Sequence, residues 1–385
     1  MTTTPSRTHI FLFMTSTFLF WTALYVYVPI LAPYGRHLGG SMTVIGLIIS
    51  SYGLMQLLFR IPLGVWSDRI GRRKPFLAAG LLLLAASGLT LGLSPSPEWM
   101  IIARSLGGLA ACSWVTWSVM YAGYFDPSRT TVAMSHLAVN SSLGQMLSTY
   151  AGGWIADGYG WQMPFYIGGA LSLLSLVFLL PLPDPAITRS RTMTMQRIKS
   201  IGLTRTLLSV SAIAAVSQYI NFITIYGFTP IYANQIGASS VQQGTLILVS
   251  MSIQMVSSYL GGVWCSFRFG NRQTIILGFL ITGLGTAMIP YTETMTQLYT
   301  AQAINGVGRG LMQPILMALA VQAVPQEDRG TAMGVFQAVY AIGMFSGPAI
   351  GGVLGDWLGL GAVFLSTAVI CVVAACVMGK RGLVH

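Results

Sequence analysis

Gly64-Val65-Trp66-Ser67-Asp68-Arg69-Ile70-Gly71-Arg72-Arg73-Lys74 lies between two long apolar runs. The stretch sets Arg69, Arg72, Arg73 and Lys74 around one acid, Asp68, between two glycines. Long apolar flanks make it a short loop joining two membrane-crossing helices. Lys and Arg accumulate in cytoplasmic loops, so this loop marks the inner face.

The rest of the chain fits a membrane interior. It has 385 residues, of which 54% are apolar and 8% charged. A soluble domain carries about 25% charged residues. A span needs about 20 apolar residues. Twelve such segments can be drawn, roughly at 9–33, 42–65, 76–94, 98–122, 130–156, 163–183, 205–233, 241–264, 273–291, 295–322, 329–355 and 360–378. With the N-terminus inside, 16 of the 20 Lys and Arg fall on the cytoplasmic side. Arg36 alone is in an outer loop, and Arg60, Arg104 and Arg309 lie within spans. This asymmetry predicts a multi-pass protein of the inner (cytoplasmic) membrane with both termini cytoplasmic. The net charge of +11 is then a topology signal, and no nucleic-acid partner is expected. The four cysteines form no C-x-x-C pair. The sequence has no metal-ligand cluster, Walker loop or hydrolase elbow, so neither a cofactor nor an enzymatic activity is expected.

The longest polar interruption, Pro183 to Thr204, divides the chain into residues 1–183 and 205–385, with a cytoplasmic linker at 184–204. The two parts repeat at an offset of 199. Gly144, Gly152, Gly153, Asp157, Gly160 and Phe165 fall on Gly343, Gly351, Gly352, Asp356, Gly359 and Phe364. Segments 3, 6, 9 and 12 hold no charge, amide or histidine in their interiors. A polar group facing lipid is costly, so these four are expected at the periphery and the polar ones around a cavity.

The opening stretch resembles the loop signature G-x-L-x-D-R-x-G-R-R between helices 2 and 3 of the major facilitator superfamily of membrane transporters. Trp66 replaces the usual small aliphatic. The resemblance implies an all-α membrane protein, with twelve transmembrane helices in two pseudo-symmetric six-helix bundles. It implies a substrate site near mid-membrane and a cytoplasmic gate in which Asp68, Arg69, Arg72 and Arg73 latch against helix 11. Gly343-x3-Gly347-Pro348-x2-Gly351-Gly352 resembles the glycine–proline motif of antiporters in this superfamily, which adds Gly347 and Pro348 to the gating set. That motif normally marks helix 5, where this chain has Ser148-Thr149 in place of Gly-Pro. Arg104-x-x-Gly107-Gly108 resembles a helix 4 motif linked to proton coupling.

Arg309 is the sharpest candidate within the spans. All nine acids fall at loops or span ends. A central cation without a carboxylate needs water, carbonyls, tyrosines or an anionic ligand. Asn305 and Gln313 share its helix face, as Gln218 shares one with Asn221 and His136 with Asn140. His136 is the only histidine within a span, and histidine is the side chain suited to carry a coupling proton. Gln254, Gln337, Tyr25, Trp114, Trp117 and Tyr226 complete the expected substrate-binding set, and Trp21 and Phe222 are further aromatic candidates. The chain resembles the multidrug branch of the superfamily, which implies secondary transport of a small amphipathic or drug-like solute, an efflux antiport with protons as the candidate coupling ion, by a monomer. The alternative is an organic-anion transporter with Arg309 and Arg104 as counter-charges. A receptor or scaffold built on a transporter fold is the reading from another class.

Overall fold

The computed structural model describes residues 6–125, 130–184, 200–202, 204–324 and 328–380. The expected linker falls almost wholly outside them. Twelve helical spans are present among the described residues, labelled α1 to α12. In the first half α1 is Arg7–Tyr25 continued by Val28–His37, α2 is Met42–Ile70 and α3 is Lys74–Gly92. Then α4 is Pro97–Cys112 continued by Trp114–Ala122, α5 is Thr130–Tyr159 and α6 is Met163–Leu179. In the second half α7 is Arg205–Ile223 continued by a π-turn and Thr229–Gln235, and α8 begins as Ser240–Leu260. Next come α9 at Asn271–Met288 and α10 at Met295–Gln322. Finally, α11 and α12 share one helical run, Arg329–Lys380, parted at Gly359.

Six glycines adopt positive φ, and no other described residue does: Gly39, Gly71, Gly160, Gly237, Gly270 and Gly359. They form three pairs, Gly39/Gly237, Gly71/Gly270 and Gly160/Gly359, at offsets of 198 or 199. Each ends a helix where only glycine turns the chain without a Cβ clash. The repeat read from the sequence is therefore also a repeat of turns.

Small residues hold each half together. Ser16 of α1 donates to the Ser175 carbonyl of α6 at 2.8 Å, and Ser172 of α6 donates to the Leu81 carbonyl of α3 at 2.7 Å. In the second half Thr286 of α9 donates to Asn305 of α10 at 3.1 Å. Such contacts replace the hydrophobic drive that lipid removes. Leu82, Leu89, Leu174, Val177, Leu280, Leu284, Val369 and Val373 are exposed on α3, α6, α9 and α12, and none of these four helices lines the central cavity.

Candidate functional site

Prolines set the site. Pro29 stands four residues after Tyr25, and Pro230 four after Tyr226. A proline supplies no N–H to the carbonyl four residues back and its ring clashes with it. So α1 breaks after Tyr25, and α7 passes through a π-turn over Thr224–Phe228. Both breaks sit between the halves, where Tyr25 and Tyr226 meet edge to face at 6.0 Å between ring centroids. Phe222 stacks against Tyr52 of α2 at 6.2 Å. These four rings close one end of a central cavity of about 210 Å³, and beyond them a void of only about 10 Å³ remains.

The cavity is bounded by Trp21, Trp114 and Phe222 on its apolar side and by six amides: Gln56, Gln145, Gln218, Asn221, Gln254 and Gln313. Two guanidiniums reach it. Arg309 is buried and donates to Asn221 Oδ1 and, at 2.5 Å, to Ser250 Oγ. Arg60 is buried on α2 and points toward Tyr340 Oη of α11 at 3.5 Å. No acid lines the cavity among the described residues.

Of the residues expected at the site, the cavity brings together Tyr25, Trp114, Gln218, Asn221, Tyr226, Gln254 and Arg309. It leaves six others aside, each for a visible reason. Arg104 lies past the aromatic seal, where it donates to Tyr27 Oη at 3.0 Å and stacks on Tyr52 at 4.3 Å. Trp117 is fully buried inside the first half, between Phe13 and Phe20. Asn140 donates to the Met14 carbonyl at 3.0 Å, tying α5 to α1. Asn305 is engaged by Thr286 within the second half. Gln337 is half-buried on α11, outside the lining. His136 is exposed, on the same stripe of α5 as the exposed Val132, Val139, Leu143 and Leu147. His136→Gln is accordingly expected to leave the pH profile of transport unchanged. Loss of pH dependence in that variant would restore His136 as a coupling group.

Sequence reasoning missed Arg60 and Gln56. They continue from Tyr52 at intervals of four, so the three share one face of α2, a signal present in the sequence.

Past the seal the two halves are joined twice, by matching devices. Asp356 at the end of α11 accepts from Met42 N and Thr43 N, both at 2.8 Å, and from Thr43 Oγ1 at 2.6 Å. Asp157 at the end of α5 accepts from Ser240 N at 2.8 Å and Val241 N at 3.1 Å. Ser41 and Ser239 cap the third N–H of the same helices, each at 3.2 Å. Each helix start thus has two of its orphan N–H groups satisfied by an acid from the other half. Burial pushes these two carboxyls up. The hydrogen bonds, from Val241 and Ser240 to Asp157 and from Thr43 and Met42 to Asp356, outweigh it and hold both below the usual Asp value.

Glycine contacts show how the halves approach along α2 and α11. A Cβ at Gly46 would lie 2.2 Å from the Pro348 carbonyl oxygen, and one at Gly53 2.7 Å from the Met344 backbone. Nearer the basic loops, Gly64 and Gly334 have nothing within 4 Å. The packing is tightest at the end opposite the basic loops. Gly347, expected at the gate, packs within its own half against the Tyr219 carbonyl oxygen, 2.6 Å from a Cβ there.

At the basic end, Arg73 N and Lys74 N donate to Asp184 at 2.9 and 3.2 Å, and Arg272 Nε donates to the Met378 carbonyl at 2.8 Å. These contacts join the starts of α3 and α9 to the segments after α6 and at the end of α12, within each half. Arg69 and Arg72 are exposed. The Asp68 side chain lies outside the described residues.

Twelve spans in two bundles around an interfacial cavity define a membrane transporter rather than an enzyme. A family model described as Major Facilitator Superfamily matches residues 13–266 and 210–381, and the chain belongs to that family. It is 26% identical to an MFS-type transporter of Methanocaldococcus jannaschii, over 97% of this chain and 98% of that one. It is 24% identical to multidrug resistance protein 2 of Bacillus subtilis, over 91% and 89%. Among solved structures, a bacterial homologue of the human lysosomal transporter Spinster, inward-facing and occupied, superposes with a TM-score of 0.82 at 16% identity, over 97% of this chain and 96% of that one.

Proposed function

We propose that this transporter exports a small amphipathic solute from the cytoplasm by rocking its two halves about the central cavity. The carrying observation is the cavity's composition and place. It lies between the halves and has aromatic walls, amide groups and one closed end. Pockets of this kind hold flat apolar solutes and orient them with a few polar contacts. Likeness to a multidrug resistance protein supports drug-like cargo and outward direction. The basic loops support a cytoplasmic placement of the end where the halves pack less tightly. Protons are the candidate coupling ion. Among the described residues no carboxylate lines the cavity to carry them, so coupling would run through groups elsewhere. Asp68, Arg69, Arg72 and Arg73 are retained as a proposed cytoplasmic latch, formed when the other end opens. A second reading, organic-anion transport, is favoured by Arg309 lining a cavity without acids.

A cross-link tests the rocking mechanism. The position of a Cβ on Gly355 lies 3.1 Å from Met42 Cβ in the other half, close to the separation of about 3.5–4.5 Å that a disulfide needs. Met42→Cys with Gly355→Cys is expected to stop efflux of a fluorescent amphiphile from proteoliposomes on oxidation and to recover it on reduction. Full efflux through the oxidised protein would sink the rocking mechanism.

A further inference from the structure

Three buried polar atoms of the cavity-lining residues have no hydrogen-bond partner: Trp21 Nε1, Gln56 Nε2 and Arg60 Nε. Two of them belong to an indole and a guanidinium, which only donate. Gln56 and Arg60 are 2% and 4% exposed, so water does not compensate them freely. Facing them from the second half is Arg309, 5% exposed, with Asn221 and Ser250 holding its guanidinium in place. Among the described residues the lining offers donors and positive charge from both halves and no carboxylate.

Resting on the solute reading above, we infer that the cargo carries a carboxylate-like anionic group, held between Arg60 and Arg309, with its apolar body against the aromatic wall. A cationic solute would add a third positive charge to a cavity lined by two guanidiniums. A neutral acceptor would satisfy one donor but leave two buried guanidiniums without a counter-charge. An anion does both, through charge-assisted hydrogen bonds that a guanidinium fork is shaped to make. The assignment moves the first-half counter-charge from Arg104 to Arg60. Arg104 is committed to Tyr27 and Tyr52 behind the seal. An anion bridging Arg60 and Arg309 also joins the two halves, so its binding favours the conformer in which both face the cavity.

Three probes sharing one aromatic body test this: 2-naphthoate, 2-naphthylmethanol and 2-naphthylmethylammonium. Each is added to the full chain in lipid nanodiscs, and thermal stabilisation is followed. Naphthoate is expected to stabilise, the alcohol to do so less, and the ammonium not at all. Arg60→Gln and Arg309→Gln are each expected to weaken naphthoate about tenfold or more and to weaken the alcohol less. Trp21→Phe keeps an aromatic ring, trims the wall that holds the shared body and should weaken naphthoate and the alcohol alike, which separates wall contact from recognition of the charge. Equal or tighter binding of the alcohol or ammonium, or wild-type naphthoate affinity in Arg60→Gln, overturns the anion site. So does binding of none of the three. In each case the solute reading is judged separately by whether the protein without the cross-link exports the fluorescent amphiphile from proteoliposomes.

Discussion

Asp157→Ala combined with Asp356→Ala is expected to open the end of the molecule that the structure holds shut. Each acid accepts two backbone N–H groups from the first turn of a helix in the other half. A carboxylate at a helix start also meets the positive end of the helix dipole. Both acids are exposed, so a cap of about 1–2 kcal/mol is the fitting scale for each. At about 1.4 kcal/mol per factor of ten, one loss shifts the closed-to-open ratio roughly five- to thirtyfold, and two losses multiply. Leu31 reports the change. It is 2% exposed and lines the small void between the seal and the caps. Leu31→Cys should resist a membrane-impermeant maleimide in the parent and react in the double variant, with each single variant between. Equal resistance in all four proteins would show that the caps do not hold the halves together.

The same caps carry a pH signature. Both carboxyls sit below their ordinary value. A depressed acid stabilises the state that depresses it at every pH above the ordinary carboxylate value of about 4, and loses that contribution as pH falls through the lowered value. A spin-label distance between α5 and α8 should therefore stay constant from about pH 5 to 8 and lengthen only below about pH 4. Opening near neutrality would point to another titrating group.

How much of this was legible depended on whether the signal was local. The loop at Asp68, the apolar lengths and the 199-residue offset are properties of short windows or of their repetition, and they suffice for the fold. Asp157 and Asp356 were visible as a repeated pair. That each acid meets the helix start of the opposite half is a tertiary fact no spacing encodes. Polarity within a span proved an ambiguous guide. Arg309 and Asn221 line the cavity, whereas Asn305 and Asn140 fasten neighbouring helices within a half. Both uses satisfy a polar group away from lipid. Trp117 could not be told from Trp114 by type: both follow the break at Ser113 on one short helix, yet Trp114 meets Trp21 at the cavity and Trp117 packs between Phe13 and Phe20.

Alanine at the paired glycines of α5 and α11 should split into two phenotypes. Successive residues on a helix point about 100° apart, so Gly152 and Gly153 face different neighbours. A Cβ at Gly152 would lie 1.6 Å from the Val26 carbonyl oxygen of α1, in the same half. At Gly153 it would lie 2.3 Å from the Ser240 carbonyl oxygen of α8, in the other half. The second doublet repeats the division: Gly351 meets Ile223 of α7, and Gly352 meets the Met42 carbonyl oxygen of α2 at 2.4 Å. A helix wedged between its own bundle and the opposite one needs close approach on two faces, and a glycine pair supplies both. Overpacking costs about 1–3 kcal/mol, and more where the obstacle is backbone. Gly152→Ala forces α5 off α1, so it should lower the yield and melting temperature of folded protein. Gly153→Ala and Gly352→Ala can be relieved by parting the halves. They should fold nearly normally and instead raise the maleimide reactivity of Leu31→Cys, as loss of the caps does. If all three variants lose folded protein alike, the halves do not separate along this surface, and the closed end is part of one rigid core.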